Sequence, residues 1–110
     1  METIHALIYH NIFINAISCG LKLMDKAEEY RIQFGKALRN LRKLYTGKSL
    51  RMFAYEYDIP CATLSRIENG QREAQLTTLK RISEGFGWSF EEFIKNIETK
   101  MPNKITLKDE

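Results

Sequence analysis

Few residues in this 110-residue chain have types and spacing suited to covalent chemistry. Ser49, Ser65 and Ser83 would need a neighbouring base to act as nucleophiles, and both histidines, His5 and His10, lie far from them in sequence. The two histidines are five apart and do not share a helical face, so they make no metal site. Cys19 and Cys61 are the only cysteines, too few for a disulfide framework or a four-cysteine zinc cluster. Cys61 lies in a basic region that would favour thiolate; it reads more simply as a small residue opening a helix. Glu91, Glu92 and Glu98 have the spacing of a solvated helix surface. What remains is positive charge. Arg31, Lys36, Arg39, Arg42, Lys43, Lys48 and Arg51 fall in a stretch without a single acid. Such a run is either a solvated helix face or a nucleic-acid footprint, because clustered cations release counterions from a phosphate backbone.

Composition narrows the setting. Hydrophobic residues make up 44% and charged residues 28%, as in a folded globular chain of one small domain. A domain of this size buries a modest core and is better suited to a compact binding module than to a deep substrate cleft. No apolar run is longer than the four residues of Ala6 to Tyr9, far short of a membrane span, and no Lys or Arg precedes Lys22 to start a secretory signal. The expectation is a cytoplasmic protein with no membrane partner, no cofactor, no metal and no small-molecule substrate. The net charge of +3 is unevenly spread: residues 31–98 hold twelve basic and eight acidic residues, and residues 1–30 hold two and four.

Periodicity supplies the elements that would position the cations. Residues 25–98 read as five short helices and no segment alternates with period two, so the class is all-α. The first runs from Asp25 or Arg31 to Tyr45, with Phe34, Leu38, Leu41 and Tyr45 on its apolar face and Ala37 and Leu44 alongside; Gly47 closes it. Ser49 caps a second, to about Tyr57, with Phe53 and Ala54 inward. Asp58-Ile59-Pro60 breaks the pattern. The third, Cys61 to Glu68, stops at Asn69-Gly70. The fourth, Leu76 to Phe86, aligns Leu76, Leu79, Ile82 and Phe86. Ser89-Phe90-Glu91-Glu92 has capping-box spacing and opens the fifth. Residues 99–110 contain Pro102 and read as a flexible tail.

Two eight-residue helices joined by a three- or four-residue turn make a helix-turn-helix, whose second helix can enter a DNA major groove. The series Leu38-Arg39, Leu41-Arg42, Ser49, Phe53-Ala54, Thr63-Leu64-Ser65-Arg66-Ile67-Glu68-Asn69-Gly70, then Leu76, Leu79, Ile82, Phe86-Gly87 and Ser89, resembles the Cro and phage-repressor type, the XRE family, over residues 31–98. The resemblance implies a five-helix lambda-repressor-like domain that binds double-stranded DNA as a homodimer, regulates transcription, by default as a repressor, and is not an enzyme. Related roles include controllers of restriction–modification systems and antitoxins. It implies base reading by Cys61, Ala62, Thr63 and Arg66, and phosphate contact by Lys48, Ser49, Arg51, Asn69 and Arg72. It places Arg42 and Glu68 as a fold-locking ion pair, with Ile59, Leu64 and Ile67 packing the turn.

Departures from the family pattern bear on affinity. Leu50 stands where many members carry a phosphate-binding Gln. Asp58 replaces a turn glycine, and Pro60 replaces a capping Ser or Thr. Cys61 and Ala62 offer no strong hydrogen bond to a base, although Ala62 can touch a thymine methyl and Arg66 can reach guanine. Those departures favour an alternative, a protein-interaction adaptor that keeps the fold with weak DNA reading; the acid-free basic stretch argues against it. Trp88, Phe90, Phe93, Ile94 and Ile97 exceed what one small core requires. With the aromatics taken inward, Ile94 and Ile97 are the expected dimer interface. In residues 1–24, Leu7, Ile14 and Leu21 fit heptad spacing, whereas Met24 opens an ordinary start for this family. The segment is an extra helix or an over-extended reading frame.

Overall fold

The computed structural model describes residues 25–101 and 105–108, and expectations for residues 1–24 lie outside them. Five α-helices follow in order: α1 (Lys26–Leu41), α2 (Leu50–Glu56), α3 (Cys61–Glu68), α4 (Leu76–Phe86) and α5 (Phe90–Lys100). Local chemistry sets their ends. Asp25 caps α1 by accepting from the Glu28 N–H at 2.7 Å. Ser49 does the same for α2 through Met52 N–H at 3.1 Å. Ser89 and Glu92 cap α5 reciprocally, each side chain taking the other's backbone N–H at 3.1 Å.

Between α1 and α2 the chain widens into a π-helical turn, Arg42–Thr46, closed by Gly47 at φ +65°. A π turn re-phases every residue after it relative to an α-helix. Leu44 and Tyr45, expected on the inner face, are therefore 63% and 61% exposed. Tyr45 still sets its ring at a steep angle to Trp88, with centroids 5.2 Å apart. Leu76 is exposed too, because it sits on the first turn of α4 beyond the core's edge.

The core gathers Leu38 and Leu41 from α1, Phe53 from α2, Leu64 and Ile67 from α3, Ile82 from α4, and Phe93 from α5. Ile97 joins it with no exposed surface, which removes it from the dimer interface assigned to it. It lies one turn after Phe93, on the same inner face of α5. Trp88 and Phe90, expected to be taken inward first, are half-buried instead, as is Ile94. The tail also differs. Helix α5 continues through Lys100, Met101 is buried, and Leu107, itself exposed, borders an open cleft that Ala27 and Tyr30 of α1 also line. The Lys26 ammonium donates to the Lys108 carbonyl at 2.6 Å.

Two constraints fix α1 against α3. A methyl group on Gly35 would lie 2.5 Å from the Ile67 carbonyl oxygen and closer still to that of Glu68, so only glycine lets the backbones meet. Beside this contact Arg42 and Glu68 form a two-pronged pair, Nε to Oε2 at 2.7 Å and Nη2 to Oε1 at 2.9 Å, with both side chains about 95% buried. The third prong, Nη1, donates to the Lys48 carbonyl at 2.7 Å and ties down the entry to α2.

Removing one partner of a buried pair strands the other charge away from water. Glu68→Gln is expected to cost about 3 kcal/mol, the lower end for such a loss, and thermal unfolding followed by circular dichroism measures it. An unchanged midpoint with lost DNA binding would place Glu68 at the interface instead.

At the other end of α1, the Tyr30 hydroxyl donates to Glu98 Oε2 at 2.5 Å, joining α1 to α5. Burial first, then the Glu98 carboxylate, push the Tyr30 phenol from the ordinary 10.0 up to about 12. A phenol with a raised folded pKa holds its proton more tightly when folded. Its contribution is thus complete below pH 10 and lost as pH climbs toward 12. Ultraviolet titration should show one late-ionising tyrosine, and Glu98→Gln should bring it down only part of the way, since burial is the larger cause.

Candidate nucleic-acid interface

Helix α3 has two contrasting sides. Leu64 and Ile67 point inward and, with Ile59 from the turn, leave almost no surface exposed. Cys61, Ala62 and Arg66 are exposed on the opposite side, with Thr63 half-buried beside them. The four residues assigned to base reading thus all lie off the core-facing side of α3, three of them exposed. No ion-pair partner engages Arg66 among the described residues, so its guanidinium is available to a base edge.

The turn before α3 holds this side in place. Asp58 takes the left-handed conformation at φ +59°, which its short polar side chain tolerates better than most. The Ile59 N–H returns to the Ala54 carbonyl at 2.9 Å, and Arg81 of α4 donates to the Asp58 carbonyl at 3.3 Å. Pro60 occupies the cap of α3 without a side-chain hydrogen bond. At the far end Gly70, φ +74°, passes so close to α1 that a Cβ would lie 2.7 Å from Ile32 Cα. The Gln71 N–H closes the helix on the Arg66 carbonyl at 2.8 Å.

Two clefts flank α3. One, of about 430 Å³, opens between α3 and the α1–α2 corner and is lined by Ser49 and Asn69 among others. The other, of about 290 Å³, lies toward α4 and is lined by Thr63 and Arg72. The residues assigned to phosphate contact are therefore split between two flanks of one helix. Arg51 is exposed on α2. Lys48 is placed differently from the free cation expected. Its ammonium is 2.5 Å from Glu56 Oε1 and 5.3 Å from the centre of the Tyr57 ring. The hydrogen bond to Glu56 is the main cause raising its pKa, so the charge persists but is matched locally. Arg39 and Lys43, counted in the sequence only as part of the basic stretch, line the first cleft. Arg39 lies in the last turn of α1 and Lys43 falls in the π turn that follows, so no constant helical spacing placed them together in the sequence.

The outward edge, the inward anchor and the turn together match known proteins. The profile of the helix-turn-helix family matches residues 38–93, half of the chain. The chain belongs to the XRE-type helix-turn-helix family of DNA-binding proteins. It is 39% identical over 70 residues to the control protein C.MunI of Mycoplasma sp., a match covering 64% of this chain and 95% of that protein. Among solved structures it is similar to the clp gene regulator ClgR of C. glutamicum. That match has a TM-score of 0.55 and 27% identity, over 64% of this chain and 90% of that one. The helix-turn-helix here is α2, the Tyr57–Pro60 turn and α3, and the protein is a DNA-binding transcriptional regulator.

Base-edge and backbone contacts separate experimentally. Arg66→Ala is expected to cost about 1–3 kcal/mol and relax preference at one position per half-site. Arg72→Ala should weaken all duplexes alike and lower the dependence of affinity on salt. Binding titrations on specific and random duplexes at several salt concentrations compare the two; Arg66→Ala behaving like Arg72→Ala would remove Arg66 from base reading.

Proposed function

We propose that this helix-turn-helix protein is a repressor that binds operator DNA as a homodimer and catalyses nothing. The observation that carries this reading is the exposed edge of α3, Cys61, Ala62, Thr63 and Arg66, on a helix whose opposite side is sealed into the core. A side chain on that edge meets a base without disturbing packing. Repression needs only occupancy: a compact domain seated in the groove excludes other proteins from the same duplex. The relatives, named as a control protein and a gene regulator, support a regulatory role.

Dimerisation follows from the limited reading of one short helix. Cys61 and Ala62 offer little hydrogen bonding, so discrimination depends on two copies, and two-fold symmetry is the commonest way to place them. The face for the second copy centres on Ile94 with Phe90 and Trp88, all half-buried in the single chain. Half-sites then form an inverted repeat about 10–10.5 base pairs apart, centre to centre.

Selection of bound duplexes from a random pool at moderate salt tests the reading, with an inverted repeat as the expected product. Flat, salt-sensitive retention would indicate non-specific binding, and no retention would favour the adaptor. Ile94→Asp should leave a folded monomer with weak, non-specific DNA binding; a wild-type chain that sediments as a monomer both free and on its operator would exclude the dimer.

A further inference from the structure

The cleft between α3 and the α1–α2 corner has a charge balance that the sequence does not reveal. Its floor is the Arg42–Glu68 pair, whose charges cancel each other. Leu50, half-buried on its wall, has no polar side-chain atom to offer. Its net positive charge therefore comes from Arg39, near the end of α1, and Lys43, in the π turn that follows it, both exposed. Among the described residues neither forms an ion pair. Lys48, the nearby cation that the sequence favours, is committed to Glu56.

The cleft also presents neutral donors. Ser49 Oγ accepts the Met52 N–H, which leaves its own hydroxyl hydrogen to donate outward. The Asn69 amide donates to Ser65 Oγ at 3.5 Å, a length so weak that the amide has little to lose by turning to another acceptor. Two cations and two neutral donors thus surround an open space of about 430 Å³ beside the exposed edge of α3. Acceptor-rich, singly charged and tetrahedral, a DNA phosphodiester matches that set.

We propose that Arg39 and Lys43 grip a backbone phosphate of the operator in this cleft, in place of a polar anchor at position 50 and in preference to Lys48. The proposal rests on the reading of the chain as a duplex-DNA binder. It adds a second backbone contact on the flank of α3 opposite Arg72, so that the recognition helix is held from both sides.

The test measures affinity for operator and random duplexes across a salt series with the full chain and its Arg39→Ala, Lys43→Ala and Lys48→Ala variants. Releasing one counterion contributes up to about eightfold at 0.1 M salt. Arg39→Ala and Lys43→Ala are each expected to weaken both duplexes by about that factor and lower the salt slope by about one. Arg39→Lys should restore the slope, which a packing role alone would not do, and Lys48→Ala should change it least. Circular dichroism melts of these surface variants should match wild type. Wild-type salt slopes in Arg39→Ala and Lys43→Ala, with operator binding intact, would overturn the cleft while leaving the DNA-binding reading in place. A wild-type chain that retained no duplex at any salt would overturn both.

Discussion

The buried guanidinium of Arg42 is the point on which the domain's geometry turns. It pairs with Glu68 at the end of α3 and holds the Lys48 carbonyl at the entry to α2, so one side chain orients three segments. A buried ion pair seldom stabilises a fold more than well-packed apolar residues of the same size would. Its contribution is direction. Hydrogen-bond angles are narrower than van der Waals contacts, and the planar fork of arginine admits essentially one arrangement of its carboxylate. The Gly35 crossing beside it acts in the same sense by letting the backbones of α1 and α3 meet.

From this anchor outward, the aromatic residues complete the other half of the domain. Phe86 stacks on Trp88 at 4.6 Å and reaches Phe53 at 5.5 Å and Phe93 at 5.9 Å, linking α2, α4 and α5 through one ring. The ion pair fixes where α3 points; the aromatic cluster fixes what stands behind it. Neither places a bulky group on the outer edge of α3.

Much of this was legible in the sequence because the ends of the helices carry their own chemistry. Ser49 and Ser89 have capping side chains, and Gly47, Gly70 and Gly87 take the left-handed conformation at φ +65°, +74° and +74°. The misplacements have physical causes. Helical periodicity assumes a constant pitch, and the π turn at Arg42–Thr46 breaks it for Leu44 and Tyr45. An apolar residue on a terminal helix does not say whether it faces its own core or a partner, and Ile97 faces the core. The match between Lys48 and Glu56 joins residues on either end of α2, where no helical spacing rule applies. At the candidate site, spacing made the inward side of α3 legible through Leu64 and Ile67, whereas the charge balance was illegible because it depends on who neutralises whom.

The separation of the two sides of α3 bears on how such a protein changes over generations. Leu64 and Ile67 hold the helix to the fold, and Cys61, Ala62 and Arg66 touch little of it. Exposed positions of this kind accept most substitutions within about half a kcal/mol, so if this side reads bases as proposed, mutation rewrites the preferred operator without approaching the stability threshold. Duplicated copies of one gene can drift onto different binding sites while their scaffold stays the same. The outer edge of α3 behaves as an exchangeable vocabulary carried on a fixed grammar.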